Sequence, residues 1–256
     1  MIYEVLCFGY EADMLRGRMA TLGDHVDAVI VVESDFTHTG NPKGHLLANI
    51  WQDMPNADRL HYYPFLGSPS HDAWANERTH REILKVAVDD YLSPDPDDLV
   101  IVCDVDEWWQ PEHLDQFGPD LTVMNMRKHH FSVRWFDCME LAGLAASWQT
   151  WQGLNFHEVK MAMCHARGGG QPPGRVVDTG WHWTSIGDLD AVNRKVGSFS
   201  HMEFNTPDMR ATIAGLWEHG RDFAGREFAE VPLDGMPAWI ADGHAPASWY
   251  RTRGQA

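Results

Sequence analysis

The chain has 256 residues, 44% hydrophobic and 22% charged, with a formal net charge of −17. This is enough for one large α/β domain, or for one domain with an appended lobe, and it argues against disorder. So acidic a chain repels a phosphate backbone, and its longest basic run, Arg127-Lys128-His129-His130, is short, so stable nucleic-acid binding is not expected.

Four cysteines without a C-x-x-C pair disfavour a zinc ribbon and a disulfide-stapled secreted scaffold. Met1 to Leu6 has no basic leader, and no apolar run reaches the ~18 residues a membrane span needs. The expectation is a cytoplasmic protein with neither signal peptide nor membrane anchor.

In chain order, Tyr3 to Phe8 is a short apolar strand, followed by a helix with Met14, Leu15, Met19 and Leu22 on one face. Val26 to Val32 is the strongest strand pattern and breaks at Glu33-Ser34; Leu60 to Tyr63 is a weaker one. Trp74 to Tyr91 has the pattern of a helix, stopped by Ser93-Pro94-Asp95-Pro96. Leu99 to Cys103 is apolar on both faces, as at the centre of a parallel sheet. This alternation predicts a doubly wound sheet. No G-x-G-x-x-G or G-x-x-x-x-G-K occurs, so the phosphates of any bound nucleotide need something other than a glycine loop.

The second half is less regular. Gly168 to Gly174 is a flexible loop, Thr206-Pro207-Asp208 starts a helix that ends near Gly220, and from about Ala229 the chain is punctuated by Pro and Gly.

Asp104-Val105-Asp106-Glu107 follows the buried strand directly. In an extended chain, side chains at i and i+2 point the same way, so Asp104 and Asp106 are expected to converge at the carboxyl end of the strand, where open α/β sheets place ligands. Two carboxylates make a hard oxygen site for Mg²⁺ or Mn²⁺, which would bridge a diphosphate and stabilise a departing nucleotide. The bland alternative is a solvated loop. A haloacid-dehalogenase-type phosphatase, with Asp104 as nucleophile, is the mechanistic competitor, but Trp108 stands where that pattern has Thr or Val.

Four ordered blocks extend the pattern. They are Glu11 to Arg16 with Val31 to Gly40; Trp74-Ala75-Asn76-Glu77-Arg78-Thr79-His80-Arg81; Asp97 to Ile101 with Asp104 to Glu107 and Met126-Arg127-Lys128; and Gly180-Trp181-His182-Trp183-Thr184-Ser185 with Lys195, Ser198 to His201 and Glu203. With these, the chain resembles glycosyltransferase family 17, the β-1,4-mannosyl-glycoprotein 4-β-N-acetylglucosaminyltransferases and their microbial relatives.

The resemblance implies a GT-A-type, Rossmann-like α/β sheet flanked by helices, in one domain over 1–225. The nucleotide-sugar half would cover about 1–110 and a smaller acceptor half 111–225, with 226–256 as a tail packed on the surface. It also implies inverting transfer of a sugar, N-acetylglucosamine above all, from a UDP-sugar to a hydroxyl of a glycan or other acceptor, with Mn²⁺ or Mg²⁺. The alternative is an inactive sugar-nucleotide or carbohydrate-binding module.

Residue roles follow from the same likeness. Asp104, Asp106 and His182 would hold the metal. Glu33 would contact the uridine, while Arg81, Lys195, Arg127 and Lys128 balance the diphosphate charge and Asp104 contributes to nucleotide binding. Glu203 is the expected catalytic base, with Glu107 and Glu158 as alternatives. Trp108, Trp109 and Trp181 flank these motifs and are the expected sugar-stacking residues.

Overall fold

The computed structural model describes residues 1–253. β1 (Ile2–Phe8), α1 (Ala12–Leu22), β2 (Ala28–Ser34), β3 (Leu60–Phe65), α2 (Ala73–Tyr91) and β4 (Leu99–Asp104) build the first half. The second half consists of β5 (Glu107–Trp108), β6 (Thr122–His130), β7 (Trp135–Ser147), α3 (Trp148–Gln152), α4 (Phe156–Arg167) and β8 (Arg175–Thr184), then α5 (Leu189–Ser198), α6 (Pro207–His219), β9 (Ala229–Glu230) and α7 (Ala238–Ala241).

All strands join one sheet, ordered β3-β2-β1-β4-β7-β6-β8-β5, with β9 on β7. β3, β2, β1 and β4 are parallel, which fits their runs of apolar residues covered on both faces. β7 then pairs antiparallel with both β4 and β6. The expected GT-A-type α/β sheet flanked by helices is therefore the observed fold, but it is mixed, and its second half is carried by the long hairpin of β6 and β7.

Period-two alternation sorts the core into two layers. Leu6, Phe8, Val29, Val31 and Ile101 face α1, while Tyr3, Val5, Ile30, Val32 and Val100 face the side carrying α2 and α4. The helix termini follow their sequence signals: the Asp72 side chain accepts from the Trp74 amide at the start of α2, Thr206 accepts from Met209 N, and Gly220 ends α6 at φ 62°.

The segment expected as a surface tail puts Ile240 and Trp249 into the α1-side core and Phe228 into a third cluster with Trp135 and Ile213. Of that segment, residues 254–256 lie outside the described residues. No helix among the described residues is long and apolar enough to cross a membrane.

Candidate active site

The acidic run is a turn shaped by its own side chains. β4 ends at Asp104, and β5 begins at Glu107. Glu107 folds back so that its Oε2 accepts from the Asp104 amide at 2.8 Å, while Lys160 of α4 donates to both Glu107 oxygens at 2.6 and 2.8 Å. From the opposite face Arg18 donates to the carbonyls of Asp104, Val105 and Glu107. Arg18 is itself anchored by the buried Glu4 at 2.6 and 3.0 Å. The Glu107 carboxylate, the Asp104 amide and the carbonyls of Asp104, Val105 and Glu107 are thus matched, as polar groups at this depth require.

β5 brings the distant histidine to this turn. Glu107 pairs with His182 and Trp108 with Trp181, and Trp183 N donates to the Asp106 carbonyl at 2.8 Å. Gly180 makes the approach feasible: at φ +67°, a Cβ there would lie 1.9 Å from the Trp108 carbonyl oxygen.

Asp104 and Asp106 both line a cavity of about 920 Å³, but they do not share partners, because the chain turns after Asp104 and the strict i, i+2 alternation ends there. Arg81 of α2 forks Asp104 at 2.8 and 3.1 Å, with Lys160 at 3.3 Å. Burial alone would raise the Asp104 carboxyl, but Arg81 and Lys160 together hold it well below the usual range. Asp106 Oδ2 accepts from Lys195 of α5 at 2.5 Å, and Oδ1 faces His182 Nε2 at 3.9 Å. Burial again opposes its charge, and Lys195 with His182 lowers it.

His182 Nδ1 is held at 2.7 Å by Glu140, which leaves Nε2 aimed at Asp106. A carboxylate behind one imidazole nitrogen, with the other nitrogen free, is how metal-ligating histidines are oriented. The donor chemistry of Asp106 and His182 therefore fits a divalent cation, with the remaining positions left to diphosphate and water oxygens. Asp104 does not complete the set: Arg81 engages both of its oxygens, and no group of three or more ligating side chains is assembled among the described residues. The same fork ties both Asp104 oxygens to a guanidinium, which lowers their basicity and disfavours a role as phosphatase nucleophile.

Other expected site residues are distributed unevenly. Lys128 lines the cavity and sits 3.2 Å from Glu140 and 3.6 Å from Asp137, whereas Arg127, one residue earlier on β6, points to the exposed face. Glu33 does not line the cavity. Its fully buried carboxylate accepts from Lys43, the amides of Leu46 and Leu47 and the Tyr62 hydroxyl, so it pins the loop after β2 and has no lone pair to offer uridine.

Glu107 lines the cavity but is 1% exposed and saturated by Lys160 and the Asp104 amide. Glu203 lies outside the lining, mostly exposed, at 2.7 Å from His201. Glu158 is exposed on α4.

The tryptophans are also corrected. Trp108, Trp109 and Trp181 are core residues packed with Trp183 and Phe117 and do not line the cavity. The aromatic wall is made instead by Trp74 over His201, with ring centroids 4.7 Å apart, and Phe204 against Phe223 at 5.1 Å. Trp74 and Phe223 are 40% and 51% exposed, which leaves ring faces open for a ligand.

Sequence reasoning missed Arg18, Lys160, Glu140 and Asp137. Arg18 carried a signal: a charge three or four residues from Met14, Leu15 and Leu22, on the apolar face of its helix. Nothing local marks the other three.

The chain matches the profile of Glycosyltransferase family 17 over residues 1–208. Among solved structures it is similar to the galactosyltransferase LgtC in complex with donor and acceptor sugar analogs, at 11% identity over 68% of this chain and 67% of that one, with a TM-score of 0.33. It is also similar to the glycosyltransferase GlyE of Streptococcus pneumoniae TIGR4, at 14% identity over 92% of this chain and a TM-score of 0.36. The chain spans about half of GlyE, covering 52% of its length. No curated protein sequence matches the chain.

Proposed function

Since the chain belongs to glycosyltransferase family 17, we propose that it transfers N-acetylglucosamine from a UDP-sugar to an acceptor hydroxyl, with inversion and with the help of a divalent cation. The observation that carries this reading is the meeting of Asp106, His182 and Lys195 at the floor of the large cavity, at the carboxyl end of β4.

Asp106 and His182 would hold the cation, Mn²⁺ or Mg²⁺, which when bound neutralises a diphosphate leaving group. Lys195, paired with Asp106 at 2.5 Å and lining the same cavity, would place a second positive charge beside the diphosphate. Arg81 and Lys160 fix Asp104, so the turn that presents Asp106 does not move as charge develops. The aromatic wall of Trp74, Phe204 and Phe223 supplies ring faces for the acceptor, whose chemical class is a carbohydrate.

The base must be a carboxylate that lines the cavity and is not already committed to strong donors. Asp137 on β7 meets both conditions: it lines the cavity, and its nearest cation is Lys128 at 3.6 Å. We assign it that role in place of Glu203, which stands outside the cavity.

Release of UDP from UDP-N-acetylglucosamine with Mn²⁺ and a carbohydrate acceptor panel tests the reading. Asp106→Asn is expected to lower turnover by about 100-fold or more and to weaken the dependence of UDP binding on Mn²⁺. An Asp106→Asn protein with full activity would overturn it, and nucleotide binding without turnover on any acceptor would favour an inactive binding module.

A further inference from the structure

Two hydrogen-bond acceptors face each other beside the end of β2 with no proton between them. His80 Nε2 lies 3.0 Å from the Val32 carbonyl. A carbonyl only accepts, so this nitrogen carries the proton and His80 Nδ1 is a lone pair. His38 Nε2 sits 3.3 Å from His80 Nδ1, so it must be the donor. The Nδ1 of neutral His38 is therefore a lone pair as well, 4.0 Å from Glu77 Oε2.

Burial holds the His38 imidazole below its ordinary range, and Glu77 remains ionised because Arg81 and His38 outweigh its burial. Arg81 donates to Glu77 Oε1 at 3.0 Å and the Ser200 hydroxyl to Oε2, but among the described residues nothing donates to His38 Nδ1. His38 Nδ1 and the lone pair of Glu77 Oε2 that Ser200 leaves open are both acceptors, 4.0 Å apart, and a ligand N–H or O–H reaching them would share its proton between the two. Both residues line the cavity.

We propose that His38 Nδ1 and Glu77 Oε2 select the nucleobase of the donor by accepting a hydrogen bond from the imide N–H of a uracil-type base. The inference rests on the reading of the protein as a nucleotide-sugar transferase. Position favours a base over an acceptor hydroxyl. The pair lies at the carboxyl ends of the parallel strands, and the whole Arg81 guanidinium separates Glu77 from Asp104, with Nε on one and the terminal nitrogens on the other. Phe8, Tyr10 and Phe36 also line the cavity and offer apolar cover for a planar ring. Uracil presents an N–H to the two lone pairs. Cytosine presents a third lone pair at the same ring position and would leave all three unsatisfied.

Calorimetric binding of UDP, 5-methyl-UDP and CDP to the full chain with Mn²⁺ tests this. UDP and 5-methyl-UDP should bind alike, and CDP should bind weaker by roughly tenfold or more. In His38→Gln, whose amide can turn a donor to the base, the preference for UDP over CDP should fall by about the same factor. Equal binding of UDP and CDP by the wild type overturns the inference and leaves the transferase reading standing. An unchanged UDP/CDP ratio in His38→Gln, with both nucleotides weakened together or only turnover lost, overturns it too. Failure of the wild type to bind any nucleotide overturns both.

Discussion

Lys195 holds one oxygen of Asp106 at 2.5 Å while the other faces His182 at 3.9 Å, and two residues earlier Asp104 is forked by Arg81. The same side-chain type thus serves two purposes within one turn, Asp104 as an anchor and Asp106 as the carboxylate with an oxygen still open. A similar contrast separates the proposed bases. Asp137 lines the cavity with only Lys128 nearby, whereas Glu203 is solvated and paired with His201. Asp137→Asn is expected to lower kcat by about 100-fold to 10,000-fold with UDP binding intact, and Glu203→Gln to change kcat less than about threefold. Steady-state kinetics beside UDP titration checks both, and the reverse pattern would restore Glu203 as the base.

At the scale of elements, the site depends on the short antiparallel pairing of β5 with β8, which seats His182 opposite Glu107. That pairing tolerates no side chain at Gly180, where a Cβ would collide with the Trp108 backbone and φ is in the left-handed region. Gly180→Ala should therefore cost on the order of 3 kcal/mol or more in stability, read as a lowered denaturation midpoint. It should also weaken Mn²⁺-dependent UDP binding through displacement of His182. A variant as stable as the wild type would show that β5 can move away freely. α1 contributes in a different way: its apolar face packs on the sheet, while Arg18 on that face reaches the carbonyls of the acidic turn.

At the scale of the molecule, many titratable groups are enclosed, and their shifts set how stability responds to acid. Burial lowers His80 to about 3 and His129 to about 4. In the unfolded chain both bind a proton as the pH falls through about 6.5, while the folded protein resists until the lower values are reached. The unfolded state then holds more protons, so the free energy of unfolding falls as pH falls from about 6.5 toward 4. Each histidine contributes up to about 1.4 kcal/mol per pH unit in that window. The depressed carboxylates Asp104, Asp106 and Glu140 act lower, with stability present above the ordinary carboxylate range and lost below it. Urea titrations at pH 7.5, 6 and 5 should show the slope, and His80→Gln should reduce it. A stability that is flat between pH 6.5 and 5 would contradict the argument.

By itself, the sequence determined the parallel half of the sheet, because Val29 to Val32 and Leu99 to Cys103 are apolar on both faces and only a doubly covered strand hides them. It also determined that carboxylates stand at the end of β4, and the ordered blocks around them marked the family. Only the tertiary structure decided which of those carboxylates remains open, since the partners of Asp104 and Asp106 come from α2, α4, β8 and α5, between 23 and 89 residues away along the chain. Side-chain direction decided the rest. One step along β6 separates cavity-lining Lys128 from exposed Arg127, and Trp108, Trp109 and Trp181 turn into the core while Trp74 faces the cavity. No local pattern encodes those orientations, because each is set by which surface the completed fold leaves uncovered.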